Sequence, residues 1–285
     1  LKSTRFYRAI FVGATSVALV TPSAPNFAQT KPSDDDGNPL TGKEITPELE
    51  QAVARGLEYL ASRQQANGSF GISGITALSG IAFMAGGNLP GRGKYGEVVQ
   101  KAVDNILASA QDSGLLCADD SYGVMYSHGF ATLFLAEVYG MTGDESVKEK
   151  LQRAVALIHR AQNPDGGWRY SPMPIDADVS VTICQVMALR AARDAGIKVD
   201  KNVIERAIEY VKKCQNTDGG FDYMLTSDGS AFPRSAAGVA TLFYAGVFEG
   251  KEIENGLKYV DQFRPGGNIQ DNSHYFYGQY YAVQT

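Results

Sequence analysis

A chain of 285 residues, 44% of them hydrophobic, holds enough apolar side chains for a sizeable core in one large domain or two small ones. Its net charge of −5 comes without any run of Lys or Arg, which argues against a nucleic-acid partner and an anionic membrane surface, since both call for a basic patch. Three cysteines, Cys117, Cys184 and Cys214, form an odd and sparse set with no C-x-x-C spacing, so neither a disulfide framework nor a cysteine metal site is expected.

At the N-terminus, Lys2, Arg5 and Arg8 precede the uncharged apolar run Ala9–Val20, and small and polar residues follow to Ala28. The run is too short to span a bilayer, so the pattern predicts a signal peptide over 1–28 and an exported protein, periplasmic or secreted. The acidic stretch 29–45 reads as a disordered linker. Thr46-Pro47-Glu48 then marks a helix start: a capping hydroxyl, proline at the first helical position, acid in the first turn.

From that point the chain repeats itself. In GLEYLASRQQANGSF, AVALIHRAQNPDGGW and AIEYVKKCQNTDGGF an amphipathic helix ends in Gln64, Gln162 or Gln215, and Phe70, Trp168 or Phe221 follows six residues later. Upstream, Val53/Leu57/Leu60, Leu151/Val155/Ile158 and Ile204/Ile208/Val211 fall at the same offsets on one helical face. Val99/Val103/Ile106 and Ile253/Leu257/Val260 begin two weaker copies. After each turn comes a helix of another kind, such as HGFATLFLAEVYG or VSVTICQVMALRAA, with few charges on any side. Such helices must be buried all round. The expected fold is therefore all-α: an α/α toroid, a double-layered helical barrel over 46–285, with amphipathic outer helices packed on a ring of inner ones.

The motif Q-x-x-x-G-x-W/F resembles the repeat of the prenyltransferase/squalene cyclase superfamily, with three copies in register. Five helix pairs are visible where that superfamily has six, so a ring lacking a sixth pair is expected. Within the third copy, Asp176-Ala177-Asp178-Val179-Ser180 resembles the D-x-D-D-T motif of squalene–hopene-type cyclases, whose central carboxylate protonates an alkene. The resemblance implies Asp178 as general acid and Asp176 as its partner. Val179 stands where the family has another Asp. Read as local structure, Asp178 is the N-cap of the following helix, with a carboxylate stabilised as the anion and a depressed pKa.

Inner helices of one sense open at one rim. His128, Asp178, Arg234 and His274 begin four of them and are the candidate rim ligand-binding residues, where converging helix N-termini favour an anion. Two histidines and a carboxylate would also suit a metal, as at the same rim of the related protein prenyltransferases; its identity is unknown from sequence. Phe134, Phe243, Tyr277 and Tyr281 are candidate cavity aromatics, with core packing as the alternative. No cofactor motif is present.

The resulting expectation is an exported repeat protein that binds an isoprenoid, lipid or glycan at the toroid mouth. The degenerate motif argues against cyclisation. An active terpenoid cyclase and a polysaccharide-active lyase stand as alternatives, a protein partner or peripheral membrane contact stays open, and fold alone does not choose enzyme or binder.

Overall fold

Three of the five described outer helices start on capping side chains, and four of the five described inner helices carry near their start a side chain that accepts a bond from the turn before them. The computed structural model describes residues 46–117, 123–226, 228–264 and 274–285; the expected signal peptide, 1–28, and linker, 29–45, lie outside them.

Ten helices are described. The outer set is α1 (Pro47–Arg63), α3 (Gly96–Ala108), α5 (Glu145–Ala161), α7 (Lys201–Lys213) and α9 (Lys251–Asp261). The inner set is α2 (Ser73–Ala85), α4 (Val124–Thr142), α6 (Val179–Asp194), α8 (Phe232–Ala245) and α10 (Tyr275–Ala282). Side chains of Thr46, Asp144 and Asp200 cap α1, α5 and α7, satisfying N–H groups that no helical carbonyl can reach. Helices α2, α4, α6 and α8 pack on one another in series, with α5 and α7 laid against them from outside. Among the described residues there is no strand, and the fold is the α/α toroid. No described helix is long and apolar enough to cross a membrane.

The repeat motif is a clamp. Nε2 of Gln162 donates to the Gly166 carbonyl at 2.8 Å and to the Val203 carbonyl at 2.8 Å, tying its turn to the first turn of the next outer helix. Gln64 does the same with Gly68 and Val98, and Gln215 with Gly219 and Glu252. At Gly166 φ is +105°, and a Cβ would lie 2.2 Å from the Arg206 carbonyl oxygen of α7, so only glycine fits. Ala110 replaces the glutamine in the second copy, but its turn pairs Ala110 with Leu116 as Gln215 pairs with Phe221.

The last inner helix departs from the expected ring. Helix α10 packs on α8, and its tyrosines also reach α6 and α4: Tyr277 OH donates to the Ser180 carbonyl at 3.2 Å, and the Tyr280 ring lies 6.5 Å from that of Phe130. With no charged residue, α10 turns Tyr277, Tyr280 and Tyr281 toward the other inner helices and leaves Phe276 exposed.

Candidate functional site

Four inner helices share one device at their N-terminal ends. Thr76, His128, Thr182 and Ser235 each accept the backbone N–H of the residue closing the preceding turn: Phe70 at 3.0 Å, Leu116 at 3.2 Å, Trp168 at 3.2 Å and Phe221 at 2.9 Å. His128 is therefore the second copy's version of a hydroxyl. Its Nδ1 accepts from Leu116, and Nε2 lies 3.3 Å from the Ala154 carbonyl, which fixes the proton on Nε2. Complete burial pushes its pKa down to about 4. The expectation that His128 is a rim ligand is corrected: it is a neutral structural side chain between α4 and α5.

Asp178 sits at this end of α6 and is wholly buried. Its N–H bonds the Trp168 carbonyl at 3.0 Å, which extends the backbone and points the side chain along the start of α6. Oδ1 accepts the Val181 N–H at 2.8 Å and the Ser180 hydroxyl at 2.6 Å. Oδ2 accepts the Tyr223 hydroxyl at 3.3 Å and lies 3.3 Å from Nε of Arg169. The expected cap is present; the expected low pKa is not. Burial raises the carboxyl above the usual carboxylate range, and the bonds from Ser180, Val181 and Tyr223 and the charge of Arg169 only partly offset it.

The residues holding Asp178 come from two loops that lie side by side. Val179 N–H donates to the Tyr223 carbonyl at 2.9 Å, and the Tyr170 and Tyr223 hydroxyls bond each other. Between the rings lies the guanidinium of Arg169, 5.0 Å from the centroid of Tyr170 and 5.5 Å from that of Tyr223. The same guanidinium bonds Asp176 at 2.8 Å, so Asp176 serves as a partner of Arg169. Because the Ser180 hydrogen goes to Asp178, the Tyr126 hydroxyl must donate to Ser180 Oγ. Above this network the loops expose apolar side chains, with Met173 55% and Ile175 74% accessible and Tyr170 and Leu225 nearby.

Other expected site residues do not join it. Arg234 is committed to its own turn, bonding Asp228 at 3.0 Å and the Phe221 carbonyl at 3.1 Å. His274 opens α10 exposed, with φ +57°. No group of His, Cys, Asp and Glu that could hold a metal occurs among the described residues. Of the aromatics, Tyr277 and Tyr281 do face inward, where the Tyr281 hydroxyl lies 3.5 Å from Cys184 Sγ and burial raises that thiol to about 12. Phe134 instead wedges against Gly80 between α2 and α4, and Phe243 stacks on Phe248 at the far end of α8; neither lines a central space. Arg169, Tyr126, Tyr170 and Tyr223 were not singled out from sequence. Arg169 and Tyr170 directly follow the repeat tryptophan, and that position carries the signal.

Two rings of helices with a buried carboxylate opening an inner one define an α/α toroid of the terpene-cyclase kind. The chain belongs to the squalene-hopene cyclase C-terminal domain family, whose model matches residues 131–281, just over half its length. Among solved structures it is similar to the type II terpene cyclase MstE from Scytonema in its apo form, with a TM-score of 0.54 and 18% identity over 77% of this chain and 66% of that one. The complex of a variant of that enzyme with its substrate geranylgeranyl dihydroxybenzoate gives 0.53 and 16%, over 78% and 66%. Its complex with the product merosterolic acid A gives 0.54 and 16%, over 78% and 67%. At such identities the likeness is one of fold, and the chain spans about two thirds of those enzymes. No curated protein sequence matches it.

Proposed function

We propose that this domain binds an apolar, isoprenoid-like ligand over the rim loops 169–177 and 222–226 without cyclising it. The observation that carries the reading is the state of Asp178. Three bonds already fall on the carboxylate, which leaves one acceptor direction for a proton, on the oxygen beside the Arg169 guanidinium and the Tyr223 hydroxyl rather than on one held free for an alkene. Tyr277 and Tyr281 fill the space beside it, while Met173 and Ile175 stand exposed above. A binder needs such an apolar face with a fixed polar floor. The terpene cyclase MstE, similar in fold, has geranylgeranyl dihydroxybenzoate as its substrate, which supports the ligand class. We place this activity after export, on the strength of the charged and apolar N-terminal pattern.

The test uses the full chain with tritiated squalene and geranylgeraniol. Saturable binding is expected, weakened at least about tenfold by Met173→Asp with Ile175→Asp, because each carboxylate must be desolvated under the ligand. Gas chromatography of the extract should return only linear polyene. A second reading, active cyclisation with Asp178 as the acid, draws on the upward push of burial and on the surrounding tyrosine faces. Cyclised product that vanishes in Asp178→Asn establishes that reading and overturns the first.

A further inference from the structure

Two chains of hydroxyls run into Asp178, and the carboxylate fixes their direction. An ionised carboxylate only accepts, so every hydroxyl that meets it donates. On one side Ser180 donates to Oδ1 at 2.6 Å, and Tyr126 donates to Ser180 Oγ behind it. On the other side Tyr223 donates to Oδ2 at 3.3 Å, which uses its only hydroxyl hydrogen. The bond between Tyr170 and Tyr223 must then carry the hydrogen of Tyr170. All of these hydrogens point inward.

At the outer end of each chain stands an oxygen with lone pairs and no hydrogen left to give. Tyr126 is half-buried in the first turn of α4. Tyr170 is 40% exposed, and among the described residues its hydroxyl meets only that of Tyr223. The residue is also held in place. Its carbonyl accepts the Met125 N–H at 3.1 Å, and the Arg169 guanidinium lies against its ring. A Cβ at Gly123 would come within 3.1 Å of its Cδ1, so α4 starts close against the ring. The exposed acceptor is therefore positioned before any ligand arrives, and positioning of that kind favours affinity.

The charge around it selects further. Arg169 pairs with Asp176 at 2.8 Å and lies 3.3 Å from Asp178, so two carboxylates face one guanidinium. An anionic head group meets net negative charge there, and at Tyr170 an ether or ester has nothing to accept. A hydroxyl gives Tyr170 the hydrogen it lacks. Met173 and Ile175 in the same loop, and Leu225 in the next, expose apolar surface for a hydrocarbon chain.

We infer that the isoprenoid-like ligand of this rim carries a hydroxyl, as an alcohol or a phenol, and that Tyr170 accepts its hydrogen. This rests on the ligand reading above and narrows it: Tyr170 selects the head group, and the apolar loop residues take the chain.

The test measures binding to the full chain of geranylgeraniol, a geranylgeranylphenol, the methyl ether of each, and squalene. The hydroxylated probe of the right kind should bind about fivefold tighter than its ether, and the larger of the two ratios tells alcohol from phenol. Tyr170→Phe keeps the ring and removes the acceptor, so both ratios should fall to about one whatever the affinities become. Lost packing alone weakens probe and ether together and leaves the ratio in place. Saturable squalene binding with both hydroxylated probes equal to their ethers overturns this inference and leaves the ligand reading standing. No saturable binding of any probe overturns both. A preference that survives Tyr170→Phe also overturns it, as does geranylgeranyl diphosphate binding tighter than geranylgeraniol, which would assign the head group to Arg169.

Discussion

The inner helices end in two rims, and each rim holds a carboxylate that burial pushes upward. Their surroundings differ. At the N-terminal rim Asp178 receives two hydroxyls, one backbone N–H and a guanidinium, all acting to favour its charge against burial. At the C-terminal rim Glu137 of α4 is raised first by burial and then further by Asp194 of α6. The neighbouring Arg190 bonds Asp194 at 2.7 Å. One carboxylate organises the donors around it and the other is carried by packing alone. A buried charge holds a fold together only where its partners are built in.

The largest expected effect tests that distinction at Asp178. Asp178→Ala removes the cap of α6 and strands Ser180, Tyr223 and Arg169 without their shared acceptor, a loss of about 4 kcal/mol from one cap and several unmade bonds. Urea unfolding followed by circular dichroism measures it. Asp178→Asn keeps an oxygen for Val181 and Ser180 and should cost about 1 kcal/mol. Equal losses for the two variants would mean that charge, and not the acceptor, holds the rim.

A smaller effect concerns the same rim in acid. His128 is neutral in the fold, with its pKa lowered to about 4. The unfolded chain binds the proton first, so stability is full above the ordinary histidine range and falls as pH drops toward 4. The loss over that interval is about 3 kcal/mol. His128→Thr copies the residue used at Thr76 and Thr182, and should flatten this limb of the stability profile. A profile unchanged by the substitution would remove His128 from the set of turn-closing acceptors.

Much of this rim could be read before the structure, and the rest could not, for a physical reason. The glutamines, the glycines and the aromatics recur at fixed spacing because each contacts backbone, and backbone geometry repeats from copy to copy. His128 was misplaced because its equivalence to Thr182 is one of acceptor geometry, which residue type conceals. Trp168 to Thr182 and Phe221 to Ser235 share a spacing that Leu116 to His128 breaks by two residues. The upward shift of Asp178 was equally hidden: a cap predicts the bonds it makes, but the burial that outweighs them comes from tertiary packing that no local pattern shows. Glu137 did carry a signal, as the one charge in an otherwise apolar inner helix.

The smallest expected effect has the opposite sign, and it completes the comparison. A carboxylate whose pKa is raised by folding binds its proton more tightly in the native state than in the unfolded chain. Stability from Glu137 is therefore highest below its ordinary value and declines as pH rises through the raised one. At neutral pH its charge is a net cost. Glu137→Gln removes that charge, keeps the shape and relieves the repulsion from Asp194, so the fold should gain about 1 kcal/mol or less. Thermal melts of parent and variant should coincide in acid and separate as the carboxyl ionises, with the variant the more stable. A loss at neutral pH would show instead that the Glu137 charge is compensated, as that of Asp178 is in part, and the contrast between the two rims would fall.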